Sequence, residues 1–184
     1  MAKTPSNMVN LGTEAPSFKL INTIDNKFVI SNDCFNKNGT VIMFICNHCP
    51  FVIHVIDEIV KIVKTFENDI TFIAISSNDV LNYPEDSPEL MKKLANDKGF
   101  SFPYLFDDSQ DVARKFDAAC TPDFFLYDSD KKLRYRGQID NSRPGNNIPV
   151  NGNDLRKAIE CIINKKNIDI NQKPSIGCNI KWKN

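Results

Sequence analysis

Hydrophobic positions change period several times along the chain, and the changes mark the elements. Thr40 to Ile45 is an unbroken apolar run after its first residue, as in a strand covered on both faces, and it stops at Cys46-Asn47-His48-Cys49-Pro50. From Phe51 to Phe66 the spacing becomes helical, with Val52, Val55, Ile56, Ile59, Val63 and Phe66 on one face and Asp57 one turn before Lys61 as a supporting ion pair. Ile70 to Ile75 is a second buried strand. Ser87-Pro88-Glu89 opens a helix that ends at Lys98-Gly99, with serine as the cap and proline at the first helical position. Phe102 to Phe106 is a short strand broken by Pro103, so it lies near an edge or begins after the proline. Asp108-Ser109 caps a short helix through Phe116, and strands Asp123–Tyr127 and Lys132–Gly137 form an edge hairpin about the turn Asp128–Lys131.

Before the central strand, Lys19-Leu20 and Phe28-Val29-Ile30 flank the turn Asp25-Asn26-Lys27 and predict an N-terminal hairpin. After the polar loop Asn141–Asn153, the residues Leu155, Ala158, Ile159, Ile162 and Ile163 define an amphipathic last helix, and a tail from Asn167 holds Cys178 and Trp182. The order predicts an α/β fold with a central mixed sheet flanked by helices. One domain over 1–184 is expected, with a core over about 11–166 and a tail over about 167–184.

Composition narrows the function. Lysine plus arginine equals aspartate plus glutamate, 23 against 23, which removes the electrostatic case for nucleic acid or an anionic membrane as partner. The N-terminal residues lack the apolar core of a secretory signal and no run approaches a membrane span, so a cytoplasmic location is expected. Thiols stay mostly reduced there. Six cysteines, at 34, 46, 49, 120, 161 and 178, are too unevenly spaced for a disulfide scaffold and are read one at a time.

Cys46 and Cys49 form a Cys-x-x-Cys between a strand and a helix start. A helix N-terminus favours a thiolate, and His48 inside the motif adds positive charge when protonated. Redox chemistry needs an ionised, exposed attacking thiol with its partner in reach. Spacing leaves metal binding open as well, with His48, His54 and Cys120 as further ligands, and a structural role as a third reading. Redox is the reading favoured.

Cys120-Thr121-Pro122-Asp123 is the second piece. A cis Thr121-Pro122 bond would present the Thr121 backbone to a partner's extended chain, and a plain edge-strand start is the alternative. Cys120 lies beside it as a packed thiol or a redox relay. Cys178 is a buried thiol of a docked tail or a long-range resolving thiol. Cys34 and Cys161 are expected to be structural, and Arg136, Asp140 and Arg143 form a polar loop cluster. No nucleotide or flavin motif occurs, so no cofactor is expected.

The motif Gly12-x-x-Ala15-Pro16-x-Phe18-x-Leu20 resembles the opening of the redoxin family of thioredoxin-like and peroxiredoxin-like proteins. More narrowly, Cys46-Asn47-His48-Cys49-Pro50-Phe51-Val52, Cys120-Thr121-Pro122-Asp123-Phe124-Phe125 and Pro174-Ser175-Ile176-Gly177-Cys178-Asn179-Ile180-Lys181-Trp182 resemble peroxiredoxin-like proteins that carry a thioredoxin-type CxxC. The resemblance implies a thioredoxin fold, Cys46 as the nucleophilic and Cys49 as the resolving cysteine, and Pro122 as the cis-proline. Asn47, His48, Pro50, Cys120 and Thr121 would support the site. A disulfide-containing substrate and an external thiol reductant are the implied partners.

Cys49-Pro50 also resembles the Cys-Pro of a peroxidatic site. Cys46, however, stands where that pattern has threonine, and the arginine expected near the next active-site strand is replaced around Pro122. Both groups would position peroxide, so their loss weighs toward disulfide exchange.

Overall fold

A computed structural model describes residues 3–35 and 37–183. Ten strands, β1 (Lys3–Pro5), β2 (Lys19–Asn22), β3 (Phe28–Ile30), β4 (Gly39–Phe44), β5 (Ile70–Ser76), β6 (Tyr104–Phe106), β7 (Cys120–Thr121), β8 (Asp123–Asp128), β9 (Leu133–Gly137) and β10 (Ile176–Asn179), alternate with four α-helices. The helices are α1 (Pro50–Phe66), α2 (Pro88–Lys98), α3 (Asp111–Lys115) and α4 (Asn153–Ile163). Seven strands make a mixed sheet in the order β3-β2-β6-β5-β4-β8-β9, and β1-β10-β7 make a small antiparallel second sheet.

The apolar run of β4 is explained by its position. It pairs in parallel with β5 and antiparallel with β8, and every residue is buried. Val41, Met43 and Ile45 face the side covered by α1 and α4, together with Cys46 and Cys49. Ile42 and Phe44 face the other side, where α3 supplies Val112, Ala113 and Phe116. Phe44, Phe116 and Phe125 meet there edge to face, with centroids 5.5 to 5.7 Å apart.

Several local expectations change. Strand β6 begins after Pro103 but is not an edge, because β2 of the N-terminal hairpin pairs with it. Lys61 pairs with Glu58 at 3.5 Å, whereas Asp57 reaches Lys98 at 2.7 Å. Ser87 occupies the cap position of α2 without a side-chain cap bond. Helix α3 starts at Asp111, whose N–H is met by Ser109 Oγ at 3.2 Å as expected, while the open N–H groups of Val112 and Ala113 are met by the Asp107 carboxylate rather than by Asp108. The tail is docked, with Cys178 buried as one of its two readings had it: β10 lies between β1 and β7, with Cys178 opposite Thr121 and Asn179 opposite Cys120.

Arg136 leaves the expected loop cluster altogether. It sits in β9, fully buried, paired to Asp123 at 3.1 Å and to the Asp117 carbonyl, with its guanidinium 4.3 Å from the Phe125 ring centroid. Ser6 also donates to Asp123. Asp140 and Arg143 remain in the loop, where Asp140 accepts from the amides of Ser142, Asn151 and Gly152. The Arg136–Asp123 pair therefore anchors the backbone just after Pro122. Removing one member of a buried pair strands the other charge, at a cost of about 3–5 kcal/mol. Arg136→Leu is expected to lose stability of that order at neutral pH in urea denaturation. Burial already pushes the Asp123 pKa up to about 6 with the arginine present. Loss of the arginine lifts the Asp123 pKa above that value, so the stranded carboxylate protonates at higher pH, and the deficit shrinks as the pH falls toward about 6 and levels off below it. A pH-independent deficit contradicts this account.

Candidate active site

The strand-to-helix junction places the two cysteines differently. Cys46 follows β4 directly, and Cys49 is the N-cap residue of α1, with Pro50 in the first turn where no N–H is needed. Both are buried, Cys46 at 1% and Cys49 at 0% exposure, while Asn47 and His48 between them are half-buried. The expectation of an exposed attacking thiol is thus not met by either cysteine in this state.

Thr121 faces the pair from β7. The Thr121-Pro122 bond is cis. Thr121 Oγ1 lies 3.3 Å from Cys46 Sγ, and the Thr121 carbonyl lies 3.2 Å from Cys49 Sγ. Cys178 Sγ is also 3.0 Å from Cys49 Sγ. Cys120 is brought to the same region, but its thiol turns toward the Pro122 carbonyl at 3.9 Å, and burial raises its pKa. The backbone edge of Thr121, expected to receive a partner's chain, is taken by β10 of the same chain. His54 lies outside the cluster, bonded to Ser142 Oγ at 2.7 Å.

The electrostatics single out Cys49. Its pKa falls from 9 to about 5, first because the Cys46 thiol donates to it, then because Cys178 donates and the N–H groups of Val52 and Cys178 face it. These outweigh burial, which opposes ionisation. Cys46 moves the other way: donating to Cys49, burial and the nearby Asp86 carboxylate all hold its proton on. The pair therefore carries one negative charge, centred on the sulfur at the helix start.

Asp86 was not singled out in the sequence. It lies in a 3₁₀ turn, Pro84–Asp86, and is fully buried. Its carboxylate accepts from the amides of Asn47 (2.7 Å) and His48 (3.2 Å), from His48 Nδ1 (2.7 Å) and from Asn78 Nδ2 (2.7 Å). Asn47 also donates to the Glu85 carbonyl and accepts from the Tyr104 hydroxyl, and the His48 ring stacks on Tyr83. The x-x of the CxxC is thus clamped to a distant loop. No local pattern marks an acid in Tyr83-Pro84-Glu85-Asp86 as buried; only the chain crossing reveals it.

A metal reading would keep only Cys46 and His48 of the expected ligands and add Asp86. One donor atom each of Cys46, His48 and Asp86 lie within 4.8 Å of one another, whereas His54 and Cys120 are not in that group. The Asp86 oxygens already hold the loop, so a cation would have to displace His48 or Asn78 from them. Among the described residues, no helix is long and apolar enough to cross a membrane.

This fold, with paired cysteines at a strand–helix junction facing a cis-proline, is that of thioredoxin-like redoxins. A thioredoxin domain of a thiol-disulfide oxidoreductase from Bacteroides vulgatus superposes with a TM-score of 0.66, at 19% identity over 85% of this chain and 99% of that one. The chain belongs to the AhpC/TSA family, whose model matches residues 11–136. Two solved structures are similar over nearly their whole length. An uncharacterized conserved protein of Geobacillus kaustophilus is 52% identical over 100% of this chain and 97% of that one, with a TM-score of 0.97. A hypothetical protein of Sinorhizobium meliloti is 40% identical over 98% of each chain, with a TM-score of 0.96. No curated protein gives a match.

A single titration checks the charge assignment. The ultraviolet absorbance of thiolate in the reduced protein is expected to rise with a midpoint near pH 5, to vanish in Cys49→Ser, and to move to higher pH in Cys46→Ser, which removes the principal donor. Because the folded value lies below the unfolded one, this thiolate's stabilisation is complete above about pH 9 and is lost as the pH falls toward 5. The oxidised protein has no such contribution. Parallel urea curves that do not diverge between the two forms over that window contradict the assignment.

Proposed function

We propose that the protein is a thiol–disulfide oxidoreductase that works through Cys46 and Cys49. The observation that carries this reading is the pairing of the two sulfurs against Thr121, at 3.3 and 3.2 Å, beside the cis-proline. Cys46 is the first cysteine of the motif, the position the family resemblance gives to the nucleophile, and lies next to the half-buried Asn47 and His48. Transfer of its proton to Cys49 makes Cys46 the nucleophile. It attacks one sulfur of a substrate disulfide, and the other leaves with the electron pair. The departing substrate thiolate takes up the Cys49 proton, and the Cys49 thiolate, still faced by the Cys178 thiol and the N–H groups of Val52 and Cys178, attacks the Cys46 sulfur of the mixed disulfide. The second substrate thiolate departs, and Cys46–Cys49 remains oxidised. Turnover requires an external thiol reductant. Stabilising the thiolate stabilises the reduced form, so the disulfide is a comparatively strong oxidant.

Wild-type protein is expected to reduce insulin disulfides in the presence of dithiothreitol. Cys46→Ser should lose that rate over the uncatalysed background, and Cys49→Ser should accumulate a mixed disulfide visible by mass spectrometry. Inert wild type defeats the reading.

A second reading, a thiol peroxidase with Cys49 attacking a hydroperoxide, is favoured by the depressed pKa of Cys49 in a Cys-Pro at a helix start. It predicts rapid, selective trapping of a Cys49 sulfenic acid by dimedone under mild peroxide. Slow oxidation spread over several cysteines rules it out.

A further inference from the structure

Cys49 is flanked by a second thiol that disulfide exchange through Cys46 does not use. Cys178 Sγ lies 3.0 Å from Cys49 Sγ, and both residues are buried. A sequence separation of 129 residues is closed here by a strand that is held along its length. β10 pairs with β7 on one edge and β1 on the other. Its approach to β7 depends on Gly177: a Cβ there would fall 1.8 Å from the Thr121 carbonyl oxygen. Beyond the strand, the Ile180 amide donates to the Ala119 carbonyl, and the Lys181 amide donates to Asn78, the same side chain that holds Asp86. Before it, the Ser6 amide donates to the Ser175 carbonyl. The tail is thus fastened on both sides of Cys178, in the place where an extended substrate chain would pair with Thr121.

We propose that Cys178 is a third redox thiol of this centre, which takes over the Cys46–Cys49 disulfide by internal exchange. The proposal rests on the disulfide-exchange reading above. The Cys178 sulfur attacks the Cys49 sulfur. The Cys46–Cys49 bond breaks with its electron pair on Cys46, and the proton of Cys178 ends on Cys46. A Cys49–Cys178 disulfide forms, so the number of disulfides is unchanged and no further oxidant is consumed. Cys46 is restored as a thiol, and the oxidised bond now ties β10 to the start of α1.

Peptide mapping of the full-length protein tests this. Reduced wild type and Cys46→Ser are oxidised with diamide, remaining thiols are alkylated, and the unreduced protein is digested with trypsin. Cys46 and Cys49 fall on one tryptic peptide and Cys178 on another, so the two disulfides are distinguished by an internal loop against a cross-link. The expected result is a Cys49–Cys178 cross-link in wild type, alongside the Cys46–Cys49 loop, and near-complete loss of Cys178 alkylation in Cys46→Ser. Only the Cys46–Cys49 loop in wild type, with Cys178 alkylated as in the reduced sample, overturns the proposal. So does Cys178 left open to alkylation in oxidised Cys46→Ser. Insulin reduction measured on the same wild-type preparation separates the two ideas. Turnover without the cross-link removes the third thiol and leaves the oxidoreductase reading intact, whereas the cross-link without turnover removes that reading.

Discussion

A negative charge on a sulfur that water does not reach is the constraint around which this molecule is arranged. Cys49 is fully buried, and burial alone would keep its proton on. No cation is among the groups that pull its pKa down. The charge is favoured by neutral donors: the thiols of Cys46 and Cys178, and backbone N–H groups at the start of a 17-residue helix and on β10. The donors come from both ends of the fold's connectivity, the β4–α1 junction and the returning β10. Strand β4 delivers Cys46, α1 turns Cys49 inward, and the far end of the polypeptide returns as β10 to bring Cys178.

Asp86 makes the arrangement asymmetric. Its buried carboxylate holds the Asn47 and His48 amides and one imidazole nitrogen, which fixes the shape of the CxxC turn. It also opposes ionisation of Cys46, the cysteine nearer to it. The same residue that shapes the turn therefore directs the pair's charge toward Cys49. Asn78 joins this carboxylate to the backbone of the docked tail, so the loop that clamps the motif and the strand that carries Cys178 share one anchor.

The helical period of α1, the doubly buried β4 and the two hairpins were legible because each is set by neighbours in sequence. So was the meeting of the CxxC with Thr121-Pro122, through the family resemblance of both segments. Local charge pairs and caps were less so. Asp57 and Lys61 have helical spacing, yet each finds another partner, since exposed side chains choose among nearby charges with little energy at stake. At the start of α3 Ser109 accepts from one amide as its position suggests, but the carboxylate that meets the next open N–H groups is Asp107 rather than Asp108, decided by which one faces them. Arg136 reads as a polar loop residue until Asp123 and Phe125 are placed around it.

By itself the sequence determined a strand that ends in two cysteines on a helix start, because hydrophobic period and helix-start chemistry act over a few residues. Only the tertiary structure decided which sulfur holds the charge, because burial, the Asp86 carboxylate and the Cys178 thiol reach the motif from segments 37 or more residues away in the chain. Gly177 shows the difference most simply. In the sequence it is one glycine in a tail; in the fold it is the only kind of residue that lets that tail lie against Thr121.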